Sequence, residues 1–108
     1  MIIHVLGTAQ DGGYPHSGCQ NLCCSSVWES PELHRLPSSI SAIDQDKKKI
    51  YLFDITPNIK DQLYRLKDYN CELAGIFITH AHIGHYLGLM DLGLEIMNTK
   101  KIPVYTMP

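Results

Sequence analysis

Apolar and polar positions along the chain follow two kinds of pattern. The first is extended. Ile2 to Leu6 is a short apolar run stopped by Gly7, and Ser39-Ile-Ser-Ala-Ile43 alternates as a half-buried strand does. Ile50-Tyr-Leu-Phe53 reads as the strand returning from the polar turn Asp44–Lys49, while Gly75-Ile-Phe-Ile78 and Ile102-Pro-Val-Tyr-Thr106 are further short strands. The second pattern is helical. Thr56-Pro57 offers a hydroxyl cap followed by proline at the first helical position, and Ile59, Leu63 and Leu66 then recur at helical spacing. Leu87, Met90, Leu94 and Met97 predict a second amphipathic helix after His85. Gly88 and Gly93 weaken it by roughly 1 kcal/mol each relative to alanine, so it depends on tertiary packing. The order β, ββ, α, β, α, β predicts an α/β layer fed by an antiparallel hairpin.

One stretch fits neither pattern. Thr8 to Pro37 is rich in Gly, Pro, Ser and Cys, with Trp28 and Leu33 as its main large apolar residues. So long a loop is unusual in a compact domain, and either a metal or packing against another part of the protein must hold it. The chain has no internal repeat, no low-complexity tract and no stretch that reads as an interdomain linker.

Composition narrows the class. At 108 residues and 44% hydrophobic, the chain (1–108) is one small domain or a fragment of a larger one, with enough apolar content for a core. Nine Lys and Arg against eleven Asp and Glu give a net charge of −2, which leaves no electrostatic footprint for a nucleic-acid partner. A membrane span needs about 20 consecutive apolar residues, and no stretch approaches that. The first six residues lack a basic region and meet Gly7 too soon for a signal peptide. The expectation is a soluble, cytoplasmic protein.

Six histidines and four cysteines carry the candidate chemistry. His80, His82 and His85 lie in Thr79-His-Ala-His-Ile-Gly-His85, directly after a buried strand, where open α/β sheets place their ligand sites. Residues two apart in an extended segment point to one side, so His80 and His82 can converge on one ion, with His85 at the entry to the next helix. Cys19, Cys23 and Cys24 form a second cluster that reads as a structural zinc site with His16 as a substitute ligand. Buried thiols or a Cys23–Cys24 redox pair are the competing readings. Cys71, alone before an apolar run, reads as a small buried hydrophobe. Asp54 ends its strand at the same edge as the histidines. It is the candidate catalytic carboxylate, accepting an imidazole N–H and fixing a ligand's tautomer, or else a carboxylate that merely flanks the helix. Gln10-Asp-Gly-Gly13 either lines the mouth of the site or forms a tight turn.

His80-Ala-His82-Ile-Gly84-His85 resembles the His-x-His-x-Asp-His signature of the metallo-β-lactamase fold hydrolases. Val5-Leu-Gly-Thr-Ala-Gln-Asp-Gly-Gly-Tyr-Pro15, the Cys-rich loop, Ser38-Ser-Ile40, Leu52-Phe-Asp-Ile-Thr-Pro57 and Gly88-Leu89 are similar to the pyrroloquinoline quinone biosynthesis protein B group of that superfamily. The resemblance implies the N-terminal half of a four-layer αββα sandwich, with a mixed β-sheet carrying helices on one face. It also implies a metal-dependent hydrolase of ester or phosphodiester bonds, with a metal-activated water attacking a small-molecule substrate. The implied ion is Zn2+, with Fe2+ or Mn2+ as alternatives at the histidines. Gly84 stands where the family has a metal-binding Asp, so the resemblance here implies one catalytic ion. The Cys-rich loop of the family carries a structural zinc on Cys-x-Cys-x-x-Cys; Cys19 and Cys24 match its outer cysteines and Asn21 replaces the middle one.

Only the first half of the fold is represented, so the site is expected to be incomplete, with a homodimer or a missing C-terminal half supplying the rest. Ending at Met107-Pro108 favours a fragment. Two alternatives stand beside hydrolysis: an iron-dependent oxidative enzyme, and a non-catalytic metal-binding or assembly module.

Overall fold

A computed structural model of the chain describes residues 1–108. Five strands form one mixed sheet in sequence order: β1 (Ile2–Gly7), β2 (Ser39–Asp44), β3 (Lys49–Phe53), β4 (Glu72–Phe77) and β5 (Val104–Tyr105). β1, β2 and β3 pair antiparallel, whereas β4 and β5 join parallel. The β2–β3 hairpin closes on the Asp44–Lys49 pair. Lys48 takes a left-handed conformation (φ 57°), and the Asp44 carboxylate accepts the Lys47 N–H at 3.1 Å. The expected α/β architecture is therefore present as a sheet layer with a helix layer on one face.

Alternation along the strands decides the two faces. Leu6, Ile43, Ile50, Leu52 and Ile76 point to one side and form the core with Ile55, Ile59 and Leu66. Helix α2 (Ile59–Tyr64) covers this side, so the predicted stripe of Ile59, Leu63 and Leu66 packs as expected. Its start differs. The helix opens two residues after Pro57, because Thr56 is buried: its hydroxyl accepts the Asn58 N–H (3.1 Å) and donates to Gln62 Oε1 (2.6 Å). Gln62 in turn donates to the Pro37 carbonyl at 2.8 Å, which ties the helix to the end of the long loop.

The predicted Leu87–Met97 helix does not form. One helical turn, α3 (Ile83–Tyr86), starts earlier and contains His85, and a 3₁₀ segment follows over Leu87–Leu92. Gly88 explains the shift. Its N–H donates to the Ile55 carbonyl at 3.1 Å, and a Cβ there would strike the Thr56 backbone, so the segment is pressed flat against the Asp54–Thr56 corner. Leu89 and Leu92 reach the core instead, while Met90, Leu94 and Met97 stay exposed. No helix is long and apolar enough to cross a membrane.

The Thr8–Pro37 excursion is pinned at its neck. Thr8 and Ala9 donate to the Leu36 carbonyl, Ser38 N–H donates to the Ala9 carbonyl, and Tyr14 and Arg35 exchange two backbone bonds. At its tip sit α1 (Leu22–Ser25) and a small cluster around buried Cys24 and Val27.

Candidate metal centre

The histidine site stands at the ends of β3 and β4, where both strands run out beside α3. Asp54, the residue after β3, is 6% exposed and adopts a left-handed backbone (φ 68°), uncommon outside glycine but tolerated by Asp. Its N–H bonds the Phe77 carbonyl, and the next residue's N–H bonds the His85 carbonyl. This corner aims the Asp54 carboxylate at the histidine segment. His85 Nδ1 lies 2.7 Å from Asp54 Oδ2. A carboxylate only accepts, so Nδ1–H donates to Asp54 and Nε2 is the nitrogen left facing the cleft.

Thr79 extends the same control to His80. Its backbone N–H donates to Asp54 Oδ1 (2.8 Å), and its hydroxyl donates to the carboxylate at 2.8 and 3.0 Å. That hydroxyl is 2.9 Å from His80 Nδ1. With its own proton committed to Asp54, it must accept from Nδ1–H, and His80 also presents Nε2 as a donor atom. Asp54 makes the imidazole contact that one of its two sequence readings requires. Thr79 went unrecognised in the sequence, where only its place before His80 marked it.

The imidazoles are neighbours. Ring centroids of His80 and His82 are 4.6 Å apart, edge to face, and those of His80 and His85 are 4.0 Å apart. Their nitrogens are not drawn to a single point; only the three cysteines have donor atoms all within 4.8 Å of one another. Lone pairs gain nothing from converging unless a cation lies between them. His82 and His85 open into a cleft of about 530 Å³ shared with Asp11, His16 and Ser38. His80 borders a second, more apolar groove with Tyr86, Leu89 and Met107. The Gln10–Gly13 segment both turns, with Gly13 N–H on the Gln10 carbonyl, and lines this cleft.

Cys19 Sγ and Cys23 Sγ are 3.8 Å apart, as are Cys23 Sγ and Cys24 Sγ. Sulfurs bound at about 2.3 Å to a tetrahedral zinc stand about 3.8 Å from one another, so the trio has the spacing of such a site. Hydrogen bonds from the Cys24 thiol and the Asn21 backbone hold the Cys19 thiol below its ordinary pKa. Cys23 is pushed up by its bonds to Cys19 and Cys24. His16 does not join them. Its Nδ1 pairs with the Ser17 carbonyl and its ring packs over Gly12 in the histidine cleft, so only its backbone N–H reaches Cys24 Sγ, at 3.4 Å. Cys71 is half-buried beside the core, its thiol on the Tyr69 carbonyl.

The five-stranded mixed sheet matches known structures. The chain superposes on the Zn2+-bound PqqB from Methylobacterium extorquens with a TM-score of 0.71 and 24% identity, over 83% of this chain and 33% of that one. It superposes on a diphosphatase of the PhnP family with a TM-score of 0.69 and 31% identity, over 95% of this chain and 40% of the other. The chain is a homologue of metallo-β-lactamase fold proteins. In sequence it is 31% identical over 104 residues to coenzyme PQQ synthesis protein B of Klebsiella pneumoniae, covering 85% of this chain and 32% of that protein. It is 37% identical over 79 residues to ribonuclease Z of Acaryochloris marina, covering 69% and 25%. No family model matches. The chain thus spans about a quarter to a third of the length of the curated relatives it matches.

Proposed function

We propose that this chain carries the histidine metal centre of a metal-dependent hydrolase that cleaves ester or phosphodiester bonds of a small-molecule substrate. The observation that carries the reading is the Asp54 network, which leaves Nε2 of both His85 and His80 as lone-pair donors at one sheet edge. His80, His82 and His85 would hold the ion, and a set of imidazoles beside carboxylates suits Zn2+, with Fe2+ and Mn2+ as alternatives. A bound zinc supplies Lewis acidity and a water of lowered pKa. The chain's own residues orient the site: Asp54 is a positioning residue that acts through His85 and Thr79. Similarity to a diphosphatase of the PhnP family and to a ribonuclease Z supports hydrolysis. The near-neutral charge supports a small substrate over a nucleic acid.

The sulfur spacing supports zinc on Cys19, Cys23 and Cys24 as a structural site, in a cytoplasmic setting that keeps all four cysteines as thiols. The test is turnover of a nitrophenyl phosphodiester and a nitrophenyl ester, with and without chelator, in the wild type and in His80→Ala and His82→Ala. Activity lost to the chelator and to either substitution is expected. Activity indifferent to both would overturn hydrolysis at this site, and iron-dependent oxidation or pure assembly would then be the readings to pursue.

A further inference from the structure

Asp11 belongs to the Gln10–Gly13 segment that the sequence offers as either the mouth of the site or a turn, and its carboxylate enters the histidine site. Oδ2 accepts the Gly84 N–H at 3.0 Å, and Oδ1 lies 3.5 Å from His85 Nε2. Gly84 and Asp11 are sterically complementary. A Cβ built on Gly84 would overlap the Asp11 carboxyl carbon and come within 2.7 Å of its Cα, so the absence of a side chain at 84 is what lets Asp11 in.

The Oδ1–Nε2 pair has a specific meaning. Asp54 occupies Nδ1 of His85, so Nε2 is the ring atom that faces the Asp11 carboxylate oxygen. An imidazole nitrogen and a carboxylate oxygen at this separation are bridged by a cation, whether a proton or a metal ion. Nitrogen and oxygen donors bound at about 2.0–2.2 Å to a tetrahedral ion are about 3.3–3.5 Å apart, which matches the separation here. The second carboxylate oxygen is anchored on the Gly84 backbone, so Oδ1 is oriented in advance, and the pair opens into the cleft that also holds His82 and His16.

We propose that Asp11 is a ligand for a divalent cation shared with His85, its carboxylate standing in for the side chain absent at Gly84. This rests on the metal-centre reading above and changes it: the site regains a carboxylate donor, and with it a position for an ion beside the one served by His80 and His82.

Mn2+ is the probe, because it prefers carboxylate and imidazole donors and largely ignores the thiols of the cysteine loop. Titration of the chelator-stripped protein with Mn2+, following the free ion by electron paramagnetic resonance, is expected to show binding in the wild type. Asp11→Asn keeps an oxygen for the Gly84 N–H but loses the charge, and should weaken Mn2+ by about tenfold or more. Gly84→Ala should weaken it similarly by expelling the carboxylate. Wild-type protein that takes up no Mn2+, or variants that match the wild type, would overturn the assignment. Zinc uptake per chain, measured in parallel in the double variant His80→Ala, His82→Ala, tests the hydrolase reading separately. Uptake that ignores those rings sinks that reading, even where Mn2+ follows Asp11.

Discussion

Asp54 accepts from three groups: the ring of His85, and the backbone N–H and hydroxyl of Thr79. Asp54→Asn retains an oxygen for the Thr79 N–H but cannot accept from His85 and Thr79 with the same strength. It is expected to lower zinc affinity about 10–100-fold with the fold intact, measured by competition with a chromophoric chelator and by circular dichroism. Unchanged affinity would return Asp54 to the role of a residue beside a helix. His80, His82 and His85 were legible as a group from their spacing alone, and Asp54 from its strand end. Asp11 and Thr79 were not. A carboxylate more than seventy positions away from Gly84 becomes its neighbour only when the loop after β1 folds over α3, and no local pattern encodes that approach.

At the scale of elements, β2 and the Asp44–Lys49 hairpin are legible from alternation and polar turn residues, because one face of β2 and β3 is buried and the period of two survives into the structure. α2 follows from its apolar stripe. The Leu87–Met97 region does not, since its local pattern carries nothing of the Asp54–Thr56 corner that Gly88 must touch. The long loop is held to the sheet at its neck, and the Gln62 side chain is its link to α2. Gln62 is fully buried between Thr56 and the Pro37 carbonyl. Gln62→Ala removes a partner from each and is expected to cost about 1–3 kcal/mol, read as a lower midpoint in urea. A midpoint equal to the wild type would mean that water replaces both bonds without penalty.

For the whole molecule, the sheet is covered on one side only. Ile3, Val5 and Ile40 of β1 and β2 point away from the core, at 59%, 55% and 38% exposure. Beside them Phe53, Phe77 and Tyr105 stack in a row with centroid spacings of 5.1 and 4.7 Å. The accessible surface is 7247 Å², against about 6,100 Å² for a compact monomer of this mass. An apolar face of this kind favours association. The isolated chain is expected to self-associate in light scattering, and Val5→Lys, on the exposed side of the edge strand β1, to shift it towards monomer. A monomeric wild type at the same concentrations would show that the face tolerates water.

Local periodicity and residue chemistry, which need only neighbours in the chain, determined the strands, the hairpin, α2 and the two clusters of metal-binding side chains. Tertiary structure decided which ring nitrogen of His80 and of His85 is engaged, that His16 stands between the histidine cleft and the cysteine loop, and that Asp11 occupies the space Gly84 leaves. Those outcomes depend on contacts between distant segments, where a single missing Cβ or one buried carboxylate sets the arrangement, and distance in space is the one quantity a linear pattern does not contain.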